Sequence, residues 1–209
     1  RRRARGRGAK AKLEAAAGLE AVADRCEKVA RQIRQRVAGQ PIKDRIVSLF
    51  DPDARPIRKG KLGKPNEFGF VSQLAEVTEH TKRGARGLIL PASTELGNPT
   101  EDTLFPGTVA ELQRLGISVR EVAVDGGFNT GPTNTALADQ QPTNVFIAGR
   151  QEPSSKRTQR RLRRYRTGAE GRISHLKRRY GLDRSRLKGD EGRQIWTEWA
   201  ILAYNTDTL

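Results

Sequence analysis

Strand, helix and strand follow one another between residues 119 and 148, and that order constrains the fold more than any other feature of the sequence. Residues 119–124 are rich in apolar side chains and stop at Asp125-Gly126-Gly127. A short helix is expected near residues 134–140 and a second strand at 144–148. Two strands joined through a helix at this spacing run parallel, since a parallel pair needs a crossover where an antiparallel pair needs only a turn. A crossover implies an open sheet covered by helices on both faces, in which ligands collect at the carboxyl ends of the strands. Asp125 stands at such an end, just where the buried run Val122-Ala123-Val124 stops, and the glycines behind it leave room for a phosphate or metal ion. Asp-Gly is also a common way to begin a turn, and this motif alone leaves that plainer reading open.

Upstream, Val22, Cys26, Val29, Ile33 and Val37 recur at three- and four-residue steps, so a helix with one apolar stripe is expected over residues 13–38. Cys26 in that stripe reads as a small buried hydrophobe. Residues 46–50 form a short apolar run closed by Asp51-Pro52-Asp53, and the Lys-, Gly- and Pro-rich residues 55–66 read as a loop. Strands are expected at 68–77 and 85–91, paired through a turn holding Glu79, His80 and Gly84. A helix over 101–115, with Pro106 inside its first turns, ends at Gly116. Beyond the crossover a long basic helix puts Leu162, Tyr165, Ala169, Ile173, Leu176 and Tyr180 on one core-facing stripe. A last helix, about 192–203, gathers Ile195, Trp196, Trp199 and Leu202 on one face, with both tryptophans read as core.

The charge is large and unevenly placed. The 209 residues carry 40 Lys and Arg against 24 Asp and Glu, a net +16. Residues 156–188 alone hold fourteen basic side chains against Glu170 and Asp183, and residues 1–12 hold seven with no acid, so the remainder is mildly acidic. Basicity confined to two stretches points to a polyanionic partner, nucleic acid first. One cysteine excludes an intrachain disulfide and a cysteine-built zinc site and fits a reducing compartment. No apolar run approaches membrane-spanning length, and the expected location is cytoplasmic. The sequence contains no Met and starts at Arg1, which suggests a piece of a longer protein.

Glu170 is one of only two acids in the basic stretch. It shares a helical face with Arg166 four residues before it and Lys177 seven after. An intrahelical ion pair would explain it. A carboxylate that holds a divalent cation beside DNA would also be surrounded by phosphate-binding side chains.

Arg166, three residues, Glu170, six residues, Lys177 resembles the R-3-E-6-K signature of bacterial insertion-sequence DDE transposases, with Arg163 where that family has tyrosine and Tyr165 close by. The run from Glu170-Gly171-Arg172-Ile173 to Tyr180-Gly181-Leu182, and Asp51-Pro52-Asp53-Ala54-Arg55-Pro56-Ile57 with Glu67-Phe68-Gly69, is similar to the ISNCY-type group. The resemblance covers roughly residues 46–209. It implies an α/β fold, a ribonuclease-H-like mixed sheet flanked by helices that lacks its first strand here. Residues 1–40 would form a basic tail and amphipathic helix, and 41–209 an incomplete catalytic core. Asp125 would be the second catalytic aspartate and Glu170 the catalytic glutamate, together holding two Mg²⁺ or Mn²⁺ ions roughly 3.5–4 Å apart. The first aspartate would lie upstream of Arg1, with Asp51 the internal stand-in. Gly126 departs from the family, which carries Arg or Lys after the aspartate. Arg166, Arg172, Lys177, Arg178 and Arg179 would contact double-stranded DNA at transposon ends and target, in bacterial cytoplasm at the nucleoid, and further copies of the chain are allowed for. The implied activity is DNA strand cleavage and transfer, absent from the isolated fragment. A non-catalytic basic nucleic-acid-binding protein, with both acids structural, is the alternative.

Overall fold

A computed structural model describes residues 8–61, 63–78, 87–95 and 99–209, and the side chains in those ranges apart from residues 58–61, 64–65 and 91–95. The element order is α1 (Ala9–Val37), β1 (Arg55–Lys61), β2 (Lys64–Gly69), β3 (Val71–Val77), β4 (Leu88–Glu95), α2 (Glu101–Arg114), β5 (Glu121–Val124), a 3₁₀ turn (Gly126–Phe128), α3 (Gly131–Gln140), β6 (Asn144–Ile147), α4 (Lys156–Arg179) and α5 (Gly189–Thr208). The result is a mixed α/β architecture, and the helical N-terminal segment starts at Ala9, inside the expected basic tail.

The crossover has the expected form. β5 and β6 pair in parallel, with Val122 opposite Val145 and Val124 opposite Ile147, and α3 is the connecting helix. Phe105, Val109, Phe128, Ala136, Leu137 and Ile147 form the core on this side, joined by Val122, Val124 and Val145. β3 and β4 are an antiparallel pair, with Glu76 opposite Ile89 and a register irregularity between Gln73 and Ala75. Their core is Ile89, Leu176, Ile201 and Tyr204, with Leu74, Tyr180 and Leu182 against it. α4 contributes to both halves. Leu176, fully buried, adds on the order of 2 kcal/mol of hydrophobic stabilisation where the helix crosses onto β3 and β4.

Four expectations need correction. Residues 55–66 are no loop: β1 and β2 pair antiparallel from Arg55 opposite Gly69 to Lys61 opposite Lys64, turning at Gly63 with φ +84°. A backbone ladder needs no apolar side chains, so lysine, glycine and proline did not prevent it. The strand expected over 68–77 is broken, because Gly69 at φ +151° ends β2 and leaves Phe68 on the hairpin, exposed. The turn expected to hold Glu79, His80 and Gly84 lies outside the described residues.

The apolar stripe of α1 faces away from the chain. Cys26 is exposed, as are Val22, Ile33 and Val37. The helix is held on another side, where Gln32 Oε1 accepts from the Ile46 amide at 3.0 Å, Lys28 Nζ meets Asp44 at 2.9 Å and Arg25 donates to the Leu49 carbonyl. α5 is likewise rotated from the expected face. Arg193, Thr197, Ala200, Ile201 and Tyr204 are buried, while Ile195, Trp199 and Leu202 are exposed. The cause is a two-point clamp on β4: the Asn205 amide accepts from Ile89 N at 2.9 Å and donates to Ile89 O at 2.7 Å, and the Tyr204 hydroxyl donates to Gly87 O. Pairing a backbone N–H and C=O that would otherwise be stranded outweighs covering one more apolar face. Trp196 alone of the two tryptophans is tucked in, with its indole N–H on the Gly181 carbonyl at 2.8 Å.

Among the described residues the strands form three two-stranded sheets, so one edge of β3 and one edge of β5 have no ladder partner. Between them lies a cavity of about 220 Å³. Four successive residues of β3 (Gln73, Leu74, Ala75, Glu76) and four of β5 (Glu121, Val122, Ala123, Val124) line it. Successive strand residues point to opposite faces, so a cavity that touches four in a row lies against an edge. α2 closes the slot on one side through Phe105, Val109 and Leu112, and α4 on the other through Leu162, Tyr165 and Ala169.

Candidate active site

Asp125 follows β5 immediately and opens the 3₁₀ turn, its carbonyl accepting from Phe128 N at 3.1 Å. Gly126 next to it has a physical reason to be glycine: a Cβ there would stand 2.9 Å from the Ala148 carbonyl oxygen, closer than side-chain carbons tolerate. The loop leaving β6 thus packs directly behind Asp125, in space the family's usual Arg or Lys would need.

α4 runs along β5 in the same sense. Arg161 pairs with Glu121 at the start of the strand, and Arg166 reaches Asp125 just past its end. The helix is capped by Ser155, whose hydroxyl accepts from Thr158 N. Arg166 Nη1 donates to Asp125 Oδ1 at 2.5 Å, and Arg166 Nη2 lies 3.1 Å from Glu170 Oε1. One planar guanidinium therefore bridges two carboxylates that are 45 positions apart in sequence. The Asp125 and Glu170 side chains keep 45% and 56% of their exposure. Ion pairs this exposed contribute little to stability, so the bridge is no structural staple and both carboxylates stay open to a cation from solvent. Glu170 also makes the intrahelical pair with Arg166 that its spacing allowed.

The other expected residues are distributed along α4 and beyond it. Arg172 donates to Glu76 Oε1 of β3 at 3.1 Å, and that carboxylate, 9% exposed, also accepts from Gly87 N. Lys177 is half-buried, and Arg178 and Arg179 are exposed in the last turn of α4. Asp51 sits elsewhere, beside α5. Burial lowers the pKa of the Arg193 guanidinium, and the negative charges of Asp51 and Asp53 act against that shift. Arg193 also packs over Phe70, 4.7 Å from the ring centroid. Among the described residues no three His, Cys, Asp or Glu side chains gather, so Asp51 does not join Asp125 and Glu170.

Hard oxygen donors, partly solvated and already facing a positive charge, fit Mg²⁺ or Mn²⁺ better than a softer metal. The bridging role of Arg166 was not legible from spacing alone, since only its pairing with Glu170 is local.

Residues 79–206, more than half of the chain, match the Transposase DDE domain family. The chain belongs to the DDE transposase family. Membership implies an enzyme of the polynucleotidyl-transferase type that acts on DNA and uses divalent metal ions. The matched stretch runs from β4 into the last turn of α5 and takes in the whole Asp125–Arg166–Glu170 bridge. No curated protein and no solved structure matches this transposase domain. Among its described residues no helix is long and apolar enough to cross a membrane.

Proposed function

We propose that this transposase domain supplies two carboxylates, Asp125 and Glu170, to a metal-dependent site for DNA strand cleavage and strand transfer, on a ribonuclease-H-like core spanning residues 41–209. The observation that carries the reading is the bridge: Arg166 holds both carboxylates within the span of a single guanidinium. When bound, a pair of Mg²⁺ or Mn²⁺ ions supplies activation of the attacking oxygen and charge stabilisation at phosphorus. The chain's own groups do the rest. Asp125 and Glu170 hold the cations, and Arg166, displaced from them, turns its fork to a phosphate oxygen. Lys177, seven residues after Glu170 and on the same face, adds a second cation toward the phosphodiester, and Arg178 and Arg179 extend the contact to duplex DNA. The motifs around Glu170 and Asp51 favour the ISNCY-type group within the family.

The slot between β3 and β5 supports the ribonuclease-H-like reading and the source of the third carboxylate. An extended segment there would pair with both open edges at once, join the two small sheets, and carry a residue at its end up beside Asp125. The test uses a labelled duplex with Mn²⁺, this chain, and a longer version carrying the upstream segment. Cleavage by the longer version only, lost in its Glu170→Gln variant with DNA affinity unchanged, is expected. Cleavage retained by Glu170→Gln overturns the carboxylate assignment. Cleavage by this chain alone, lost on Asp51→Asn, overturns the slot as the source of the third carboxylate.

A further inference from the structure

A second concavity, about 810 Å³, opens beside the bridge, between the loop that leaves β6 and the N-terminal half of α4. Its wall on α4 is Lys156, Arg160, Arg163 and Arg166. These positions step by four, three and three, and Glu170 follows after four more, so all five lie on one face of the helix. From Lys156 to Arg166 the helix rises roughly 15 Å. The groove therefore forms a track that ends at Asp125 and Glu170.

Its charge balance is one-sided. Glu152 is the single acid in the lining, its side chain is 7% exposed, and it is occupied by Arg150, whose Nε lies 2.8 Å away. Arg150 in turn donates to Asn134 Oδ1 at 2.7 Å, so the loop is tied to α3 and internally neutralised. Arg166 is committed to the two carboxylates. Lys156, Arg160 and Arg163 are exposed and pair with no acid among the described residues. Arg163 is instead set by its neighbour, with its guanidinium carbon 5.8 Å from the Phe146 ring centroid. Of the two amide side chains in the lining, Gln159 is spent on the Val145 carbonyl and Gln151 is exposed on the loop wall.

We infer that this groove binds the sugar-phosphate backbone of one strand of duplex DNA, through Lys156, Arg160 and Arg163, and guides it toward Asp125 and Glu170. The guiding role rests on the proposed function; the binding does not. Three free cations along one face suit phosphates spaced along a strand, and contacts to phosphates carry no base-sequence information. Lys156 and Arg160 lie outside the Arg166–Glu170–Lys177 pattern, and Arg163 stands at the position where that pattern has tyrosine.

The experiment is anisotropy titration of this chain with labelled duplexes of two unrelated sequences, without divalent metal, between about 50 and 200 mM salt. Changing Lys156, Arg160 and Arg163 together to Ala is expected to flatten the slope of log affinity against log salt by about 2.7, from roughly 0.9 per phosphate contact, equally for both duplexes. Arg157 and Arg164 are exposed on a different flank of α4, and changing both to Ala is expected to leave the slope within about half a unit. Equal loss per charge in the two sets would mean diffuse attraction and overturn the track, as would an unchanged slope. Loss for one duplex only would overturn backbone contact in favour of base reading. If the triple variant does not fold, Arg160→Ala alone carries the test, with a slope change of about 0.9 expected and none overturning it. Because metal is absent, failure here leaves the cleavage test of Glu170→Gln standing, and failure of that test leaves this one readable.

Discussion

Arg166 stands where the proposed metal ions would sit, and removing it gives a direct measurement of whether Asp125 and Glu170 form a metal site. In Arg166→Ala the two carboxylates lose their shared partner and face a divalent ion without competition. The competing interaction is two partly exposed ion pairs, at 2.5 and 3.1 Å. Pairs of this kind are worth about 0.2–1 kcal/mol each, so the guanidinium contributes roughly 0.5–2 kcal/mol against the metal. At 1.4 kcal/mol per tenfold, Mn²⁺ should bind the variant roughly two- to thirtyfold tighter in the absence of DNA. Titration of Mn²⁺ by electron paramagnetic resonance at low ionic strength reads this change, and added salt should shrink the difference, because screening weakens the guanidinium pairs. Adding Glu170→Gln to the variant should abolish the gain. Unchanged or weaker Mn²⁺ binding in Arg166→Ala would refute the reasoning, since it would show that the bridged carboxylates are not the ligands or that Arg166 arranges them instead of competing.

Three further outcomes concern how the site is supported, each read by urea unfolding of this chain. Asn205→Ala strands the Ile89 N–H and C=O and should cost about 2–4 kcal/mol, whereas Thr206→Ala beside it should cost less than about 1. Gly126→Ala places a Cβ against the Ala148 carbonyl and should cost roughly 1–3 kcal/mol, a neutral result meaning that the loop behind Asp125 yields freely. Arg172→Ala leaves the Glu76 carboxylate buried with only the Gly87 amide and should cost roughly 3 kcal/mol, while Arg166→Ala costs under about 2; equal costs would reject the distinction drawn between the two arginines.

The parallel crossover was legible because its signal is local: an apolar run, an Asp-Gly-Gly stop, a short helix and a second run suffice to set β5, α3 and β6. α4 was legible for the same reason, through Leu162, Tyr165, Ala169 and Leu176 of its stripe, although Ile173, expected on the same core-facing side, is exposed. The errors arose where long-range partners decide. On α5 the stripe Ile195, Trp199 and Leu202 has good helical spacing, but rotation of the helix is set by Asn205 gripping a strand 116 positions away. On α1, Cys26 and Ile33 have good spacing too, yet the loop at residues 44–49 contacts Arg25, Lys28 and Gln32. The hairpin of β1 and β2 was missed because its side chains carry no alternation and its ladder is made of backbone alone. At the site, spacing joined Arg166 to Glu170, but nothing local could join either to Asp125.

Three arginines of α4 show how one residue type divides between fold and chemistry. Arg161 meets Glu121, Arg166 meets Asp125, and Arg172 meets Glu76, so successive charge pairs face β5 and β3 across the slot. The burial of the acid decides what each pair does. Glu76 is 9% exposed, and a guanidinium there offsets a desolvation cost the fold has to meet under all conditions. Asp125 is 45% exposed, so its pair can exchange for a metal ion or a phosphate at little cost to the fold. The same helix can therefore be rigid against the sheets and still release Arg166 at one point, beside the Asp125 and Glu170 carboxylates. On the proposed reading, that combination would let a strongly basic helix hold DNA close to two acids without the acids being neutralised for good.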